Sequence, residues 1–325
     1  MMRWPRLILP ALLFGVALIW GLNRISQAVP PDEVAVWQGL QARAERVEVL
    51  GIGSSLASAI ELSELGMDGH LMWTPASDLF ENEYTLRLAL AAAPRVKLVL
   101  VALTPVSLHW SSAARGEDET RRRHYLMGGG DPRAGVIDGD WRNLAIAGAL
   151  PMVRHDQWRA PVSVALRALG VPAPPLPTLV QDGAWIRLTS HREGGLTEED
   201  RRLIGWQQRG LAAFAARPGG ESERLLATLG RMAGMARAQG ARIAFFTPPV
   251  APDYLAAMRA AGMPDGRAAF AAAAAREGFF YYDLAEDAAI AADGRNFFDS
   301  HHLNVTGARV FTQRLRAMLA RDGVL

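Results

Sequence analysis

The chain has 325 residues, 50% of them hydrophobic and 21% charged, which is ample for a buried core and fits one large domain or two small ones. Formal net charge is +2, a single lysine (Lys97) stands among the arginines, and no basic stripe is interleaved with aromatics, so nucleic-acid binding is not expected. The absence of cysteine excludes disulfides, thiolate metal sites and a cysteine nucleophile.

At the amino terminus, Arg3 and Arg6 precede an uncharged apolar run over residues 7–22, and Arg24 follows it. Sixteen such residues, with Trp4-Pro5 and Asn23 in the interfaces, predict an N-terminal transmembrane helix, a signal anchor within residues 1–28. Small residues at Ser26-Gln27-Ala28 leave a cleaved signal peptide as the competing reading, and a buried helix of a soluble domain as a third. The first two place residues 29–325 outside the cytoplasm.

Val29-Pro30-Pro31-Asp32 reads as a stiff linker, followed by a short helix over 33–43. A first strand is predicted at 47–50, ended by Gly51 to Gly53, and the apolar spacing over 56–65 predicts a helix. A second strand falls at 70–74, and Ser77 or Asp78 caps a helix running to about residue 93, with Pro94 past its end. The near-continuous apolar run at 97–103 is the pattern of a strand covered on both faces. A long helix over 221–239, a strand at 242–247, two alanine-rich helices, a strand at 279–284 and a last helix to about residue 319 complete the series. Asn304 or Thr306 caps that last helix.

Strands alternating with helices predict an α/β fold: a three-layer α/β/α sandwich around a five-stranded, mostly parallel, flavodoxin-like sheet. The stretch 105–220 breaks the rhythm and reads as a helical and irregular insertion over the edge where the strands end. It holds Arg121-Arg122-Arg123, read as a solvated loop face, a Gly128-Gly129-Gly130 turn and a proline-rich segment over 172–177. It also holds or adjoins Trp110, Trp141, Trp158, Trp185 and Trp206, mostly expected in the core, with one or two lining a groove.

Two motifs carry chemistry. Gly53-Ser54-Ser55-Leu56 follows the first strand, and Phe298-Asp299-Ser300-His301-His302-Leu303-Asn304 precedes the last helix. An Asp and a His three residues apart can reach one point in space, the carboxylate orienting the imidazole and the imidazole acting as base toward a hydroxyl. In a parallel sheet both motifs fall on the ligand-binding edge. Ser54 is a rival nucleophile and His301 a rival base. Either serine also suits a plain helix cap. Leu56 stands where a dinucleotide fingerprint needs its third small residue, and Ala57 where a Gly-x-Ser-x-Gly elbow needs its second glycine. His70, His109, His124, His155 and His191 show no metal-ligand spacing, so neither a metal nor another cofactor is expected.

Gly53-Ser54-Ser55-Leu56 and Asp299-Ser300-His301-His302 resemble the first and last blocks of the SGNH (GDSL-like) hydrolase superfamily. The Ser-Ser form and the apolar amino terminus are similar to its membrane-anchored, cell-surface O-acylation subset, which includes alginate-type O-acetyltransferases and the D-alanyl transfer protein of teichoic acid. The resemblance covers residues 45–104 and 222–320. It implies Ser55 as nucleophile, His302 as base and Asp299 as orienter. The usual second-block glycine and third-block asparagine of the oxyanion hole are missing, which leaves Ser54, Ser77, Asn82 and Thr104 as oxyanion or binding candidates. The implied activity is O-acetyl transfer to an extracytoplasmic polysaccharide through an acyl-serine. The implied setting is the bacterial inner membrane, with the catalytic domain in the periplasm and a membrane-bound acyl-transfer partner of the MBOAT type. A carbohydrate esterase or lipase of the same class, and an inactive glycan- or partner-binding scaffold, are the alternatives.

Overall fold

A computed structural model describes residues 5–28, 31–150, 159–172, 180–217 and 220–325. The protein is α/β. Five strands form one parallel sheet: β1 (Val49–Gly53), β2 (Gly69–Trp73), β3 (Leu98–Ala102), β6 (Arg242–Thr247) and β7 (Phe280–Asp283), in the spatial order β2-β1-β3-β6-β7. The intervening β4 (Val180–Gln181) and β5 (Ala184–Trp185) pair as a small antiparallel hairpin. Every residue of β1 and β3 is buried, as the unbroken apolar runs predict, whereas the edge strands β2 and β7 are partly open. Adjacent strands are in register from Val49 against Leu98 and from Leu98 against Arg242, so their carboxyl ends finish along one edge.

The helices that flank the sheet are α2 (Asp32–Arg43), α3 (Leu79–Ala92), α8 (Glu221–Ala238), α9 (Pro252–Ala260), α10 (Arg267–Glu277), the short α11 (Ala288–Ala291) and α12 (Val305–Arg321). Their ends follow from sequence. Asp78 accepts from the Glu81 N–H at 2.9 Å while Glu81 accepts from the Asp78 N–H at 2.8 Å, a reciprocal cap that starts α3. Asn304 Oδ1 accepts from both Thr306 and Gly307 N–H at 3.0 Å and starts α12.

Residues 105–220 contribute α4 (Asp118–Met127), α5 (Trp141–Ala149), α6 (Arg159–Ala168) and α7 (Glu198–Ala215) besides the hairpin. Arg121 and Arg122 are buried within α4 and do not form a solvated loop face. Arg121 reaches Asp78 at 3.4 Å and the Ser112 hydroxyl at 3.0 Å, so a buried carboxylate draws it inward. Trp158, His155 and most of the proline-rich segment lie outside the described residues, as do Val29 and Pro30.

Two further expectations are corrected. Where apolar spacing predicts one helix over 56–65, two 3-10 turns stand, Ser55–Ala59 and Leu62–Leu65. Ile60 between them is extended, and the Glu61 N–H donates to the Thr312 hydroxyl at 2.8 Å, so a tertiary bond replaces the helical ladder. The amino-terminal segment forms one helix, α1 (Pro5–Ala28), with Leu9, Leu12, Leu13, Phe14 and Trp20 exposed. Among the described residues, however, no helix is long and apolar enough to cross a membrane. The uninterrupted apolar stretch is sixteen residues. That is about 24 Å of helix against a hydrocarbon core of about 30 Å.

Candidate active site

The strand order reverses direction between β1 and β3: the chain passes from β1 outward to β2, then returns to the other side of β1. The crevice at the carboxyl ends of those two strands is where open α/β sheets bind ligands. Ser55 opens the 3-10 turn directly after β1, and Thr104 follows β3. Gly53 makes the turn possible. Its φ is +151°, and a Cβ there would sit 3.0 Å from the Ala102 Cβ and 3.2 Å from the Ala57 Cβ.

Asp299 and His302 lie in the loop before α12. Phe297 and Leu303 bridge its base, and the Phe298 N–H donates to the His302 carbonyl at 2.8 Å. Asn304 Nδ2 donates to the Arg295 carbonyl at 2.7 Å, so the residue that caps α12 also fixes the loop. At Gly307 a side chain would collide with the Asn296 carbonyl, which is how closely the helix start approaches this loop.

The structure brings the three sequence-predicted residues into one line. Asp299 Oδ2 lies 2.8 Å from His302 Nδ1, and His302 Nε2 lies 2.7 Å from the Ser55 hydroxyl. Asp299 Oδ1 accepts from the His301 and His302 N–H groups at 2.9 and 2.7 Å, which holds the carboxylate in place. A carboxylate can only accept, so Nδ1 carries the proton and Nε2 is left to take the serine proton. Burial pushes the Asp299 carboxyl up. The bond to His302, the charges of His302 and His301 and the His301 N–H outweigh it and hold the group well below the ordinary carboxylate range. Asp299 therefore stays ionised, as an orienting group must.

Ser54 and His301 are near this line but not in it. Ser54 precedes the turn, and its side chain makes no cap bond. The His301 ring stacks on Tyr254, with centroids 5.2 Å apart, and lies 4.0 Å from the His302 ring. Burial, reinforced by the His302 charge, presses its imidazole down to about 4, against the pull of Asp299 and Asp200. It is neutral at neutral pH. Asp299, His301 and His302 also form a group whose donor atoms lie within 4.8 Å of one another, as a metal would require. Asp299 and His302 of that group already serve the hydrogen bonds of the line.

Beside the four side-chain candidates for an oxyanion hole, the Ser55 N–H opens its turn and has no partner within it. The Ser77 hydroxyl donates to Asn82 Oδ1 at 2.8 Å, which leaves the amino group of this cleft-lining residue outside that bond. Thr104 is tied to Ser107, its N–H at 2.8 Å and its hydroxyl at 3.1 Å. Ser54, Ser55, Ser77, Asn82, Thr104 and His302 all line one cleft of about 290 Å³.

Sequence reasoning missed the supports from residues 187–200. Arg187 donates to the Ser58 carbonyl at 2.6 Å and also reaches the Ile60 carbonyl, gripping the turn that carries Ser55. A few residues on, the Val305 N–H donates to the Leu188 carbonyl at 2.9 Å, and the Arg192 N–H to the Phe297 carbonyl at 2.7 Å. One strap thus touches both halves of the site. Asp200, at the start of α7, accepts from the Ser300 hydroxyl inside the Asp-His motif. No periodicity in the strap marks these contacts. The Asp200 cap, in Thr197-Glu198-Glu199-Asp200, is the one local signal. Of the tryptophans, Trp110 and Trp206 line the cleft, Trp185 is buried against Trp73 at 3.9 Å, and Trp141 is exposed.

No family model matches the chain, and no curated protein is significantly similar to it.

Proposed function

We propose that the protein is a serine-dependent O-acyltransferase that carries an acyl group on Ser55 and passes it to a hydroxyl of an extracytoplasmic polysaccharide. The observation that carries this reading is the unbroken line Asp299–His302–Ser55 at 2.8 and 2.7 Å. His302 takes the Ser55 proton as the hydroxyl attacks an acyl carbonyl, then returns it to the leaving group. The Ser55 N–H and the Asn82 amino group stabilise the oxyanion in place of the glycine and asparagine that SGNH members use. The parallel sheet with helices about it is consistent with the three-layer SGNH sandwich, residues 105–220 being its insertion. The acyl donor is a membrane-bound partner of the MBOAT type. The exposed apolar side chains of α1 hold the domain at the periplasmic face of the inner membrane.

An esterase of the same class shares every step up to the acyl-serine, with water resolving it. Neither Ser55 nor His302 is fully buried, the His302 side chain being 16% exposed, which supports this second reading because water has some access to the site.

Intact protein is incubated with a fluorophosphonate probe. Wild type and Ser54→Ala are expected to label, and Ser55→Ala is expected not to. No labelling of folded wild type would sink both readings and leave an inactive scaffold. Release of acid from a pre-formed acyl-enzyme that accelerates with glycan acceptors supports transfer, and acceptor-independent release supports the esterase.

A further inference from the structure

Most of the wall around Ser55 is carbon. Leu56, Leu79, Val106, Leu203, Val250 and Met258 line the cleft together with Trp110 and Trp206. Its polar side chains are largely matched with one another. Ser77 bonds Asn82, Thr104 bonds Ser107, and the Tyr254 hydroxyl donates to Gln207 at 3.2 Å. Asp78 is spent on the Glu81 N–H, Ser112 and Arg121. A sugar ring, with a hydroxyl on nearly every carbon, would meet few free partners here and would lose its water. An alkyl chain needs none.

The cleft is also formed in advance. The Trp110 indole N–H donates to the Ala76 carbonyl at 3.1 Å, and the Trp206 ring meets it edge-on at 4.7 Å. The Arg115 guanidinium lies 3.5 Å from the Trp110 ring centre and 4.3 Å from that of Trp206, and so locks both. The acetyl group is far too small for the volume of about 290 Å³. An apolar cavity of about 150 Å³ holds a six-carbon benzene ring. Roughly twice that has room for a chain of about six to ten carbons.

We propose that the group carried on Ser55 is a medium-length, unbranched acyl chain lying in this apolar cleft, in preference to acetyl. The proposal rests on the reading of Ser55 as the acylated nucleophile. The Ser55 oxygen attacks the carbonyl carbon of an ester or thioester donor, and an oxygen–carbon bond forms. The bond from that carbon to the donor's oxygen or sulfur breaks. The Ser55 proton passes to His302 Nε2 and on to the departing atom. No redox change occurs.

The test uses the full chain in phosphatidylcholine nanodiscs, with p-nitrophenyl esters from acetyl to dodecanoyl. Acyl-enzyme formation is read by intact mass and by the nitrophenolate burst. Each added methylene is expected to raise kcat/KM about fourfold up to roughly octanoyl, after which the gain stops. Met258→Trp, which fills the cleft, is expected to move the optimum to shorter chains. Trp206→Ala, which opens it, is expected to move the optimum to longer ones and decides the matter where the first variant does not fold. A flat profile, or acetyl as the best substrate on a labelled Ser55, overturns the chain-length proposal and leaves the acyl-serine reading standing. Failure of every ester to acylate a wild-type protein that the fluorophosphonate also leaves unlabelled overturns both.

Discussion

His302 is held by two restraints that pull in different directions. Asp299 fixes the Nδ1 proton, and the serine hydroxyl occupies Nε2, so only one tautomer satisfies both ends. Asn82 has a comparable constraint. Because its Oδ1 is held by Ser77, the amide cannot flip without breaking that bond. Asn82→Ala is expected to lower kcat for ester turnover by about 10²–10³ while leaving Ser55 labelled, the cost of one oxyanion donor. Steady-state kinetics beside probe labelling checks this. At this scale much was legible. Asp299 and His302 are three residues apart in one loop, so their pairing is a local matter. Sequence leaves Asn82 as one of four candidates, because its bond to Ser77 and its place in the cleft wall are set by tertiary structure.

Among the elements, α3 rests on an unusual start. The reciprocal cap of Asp78 and Glu81 is buried, and the Ser112 hydroxyl oxygen lies between the two carboxyls, 3.1 Å from Asp78 Oδ2 and 2.7 Å from Glu81 Oε1. Burial first, then the neighbouring Asp78, raises the Glu81 carboxyl to about 8, against the pull of Arg121. Glu81 is thus biased toward its protonated form, and Arg121 faces the pair, 3.4 Å from Asp78. Arg121→Met removes that cation and leaves the carboxylate buried, so a loss of about 3–5 kcal/mol is expected in urea unfolding. The cap itself was readable, since Asp followed three residues later by Glu before an apolar run is a helix start. The role of Arg121 was not, because a run of three arginines carries no mark of which one turns inward. Residues 56–65 failed for a related reason. Apolar residues at three- and four-residue spacing suit two 3-10 turns as well as one helix, and the choice is made by Thr312 and Arg187 from far along the chain.

For the molecule as a whole, buried histidines set the response to acid. Burial presses His70, His124 and His301 each down to about 4, and His109 shifts the same way. The unfolded chain takes up these protons near pH 6.5 and the native protein does not until about 4, so stability falls as pH drops through that window. Each such histidine contributes about 1.4 kcal/mol per pH unit there. Glu81 acts oppositely. Raised to about 8, it keeps its proton in the native state, so its contribution is lost as pH rises from the unfolded value near 4.5. Among the described residues these histidines outweigh Glu81 below pH 6.5, and above it the Glu81 effect is the one that remains of the two. Thermal midpoints measured from pH 4.5 to 8 are expected to peak near 6.5, with the steeper fall on the acid side.

The strap over residues 187–192 makes the middle of the sequence a partner of both its ends. A single cut at exposed Ser190 would spare Ser55, Asp299 and His302 and still part the Arg192 bond to the Asp-His loop from the Arg187 grip on the Ser55 turn, leaving the Leu188–Val305 bond as the link between the two halves. Trimming the chain to its parallel sheet would therefore yield a scaffold whose serine and histidine drift out of reach. The irregular middle is a brace for the line from Ser55 to Asp299, and any minimal version of this protein has to carry it.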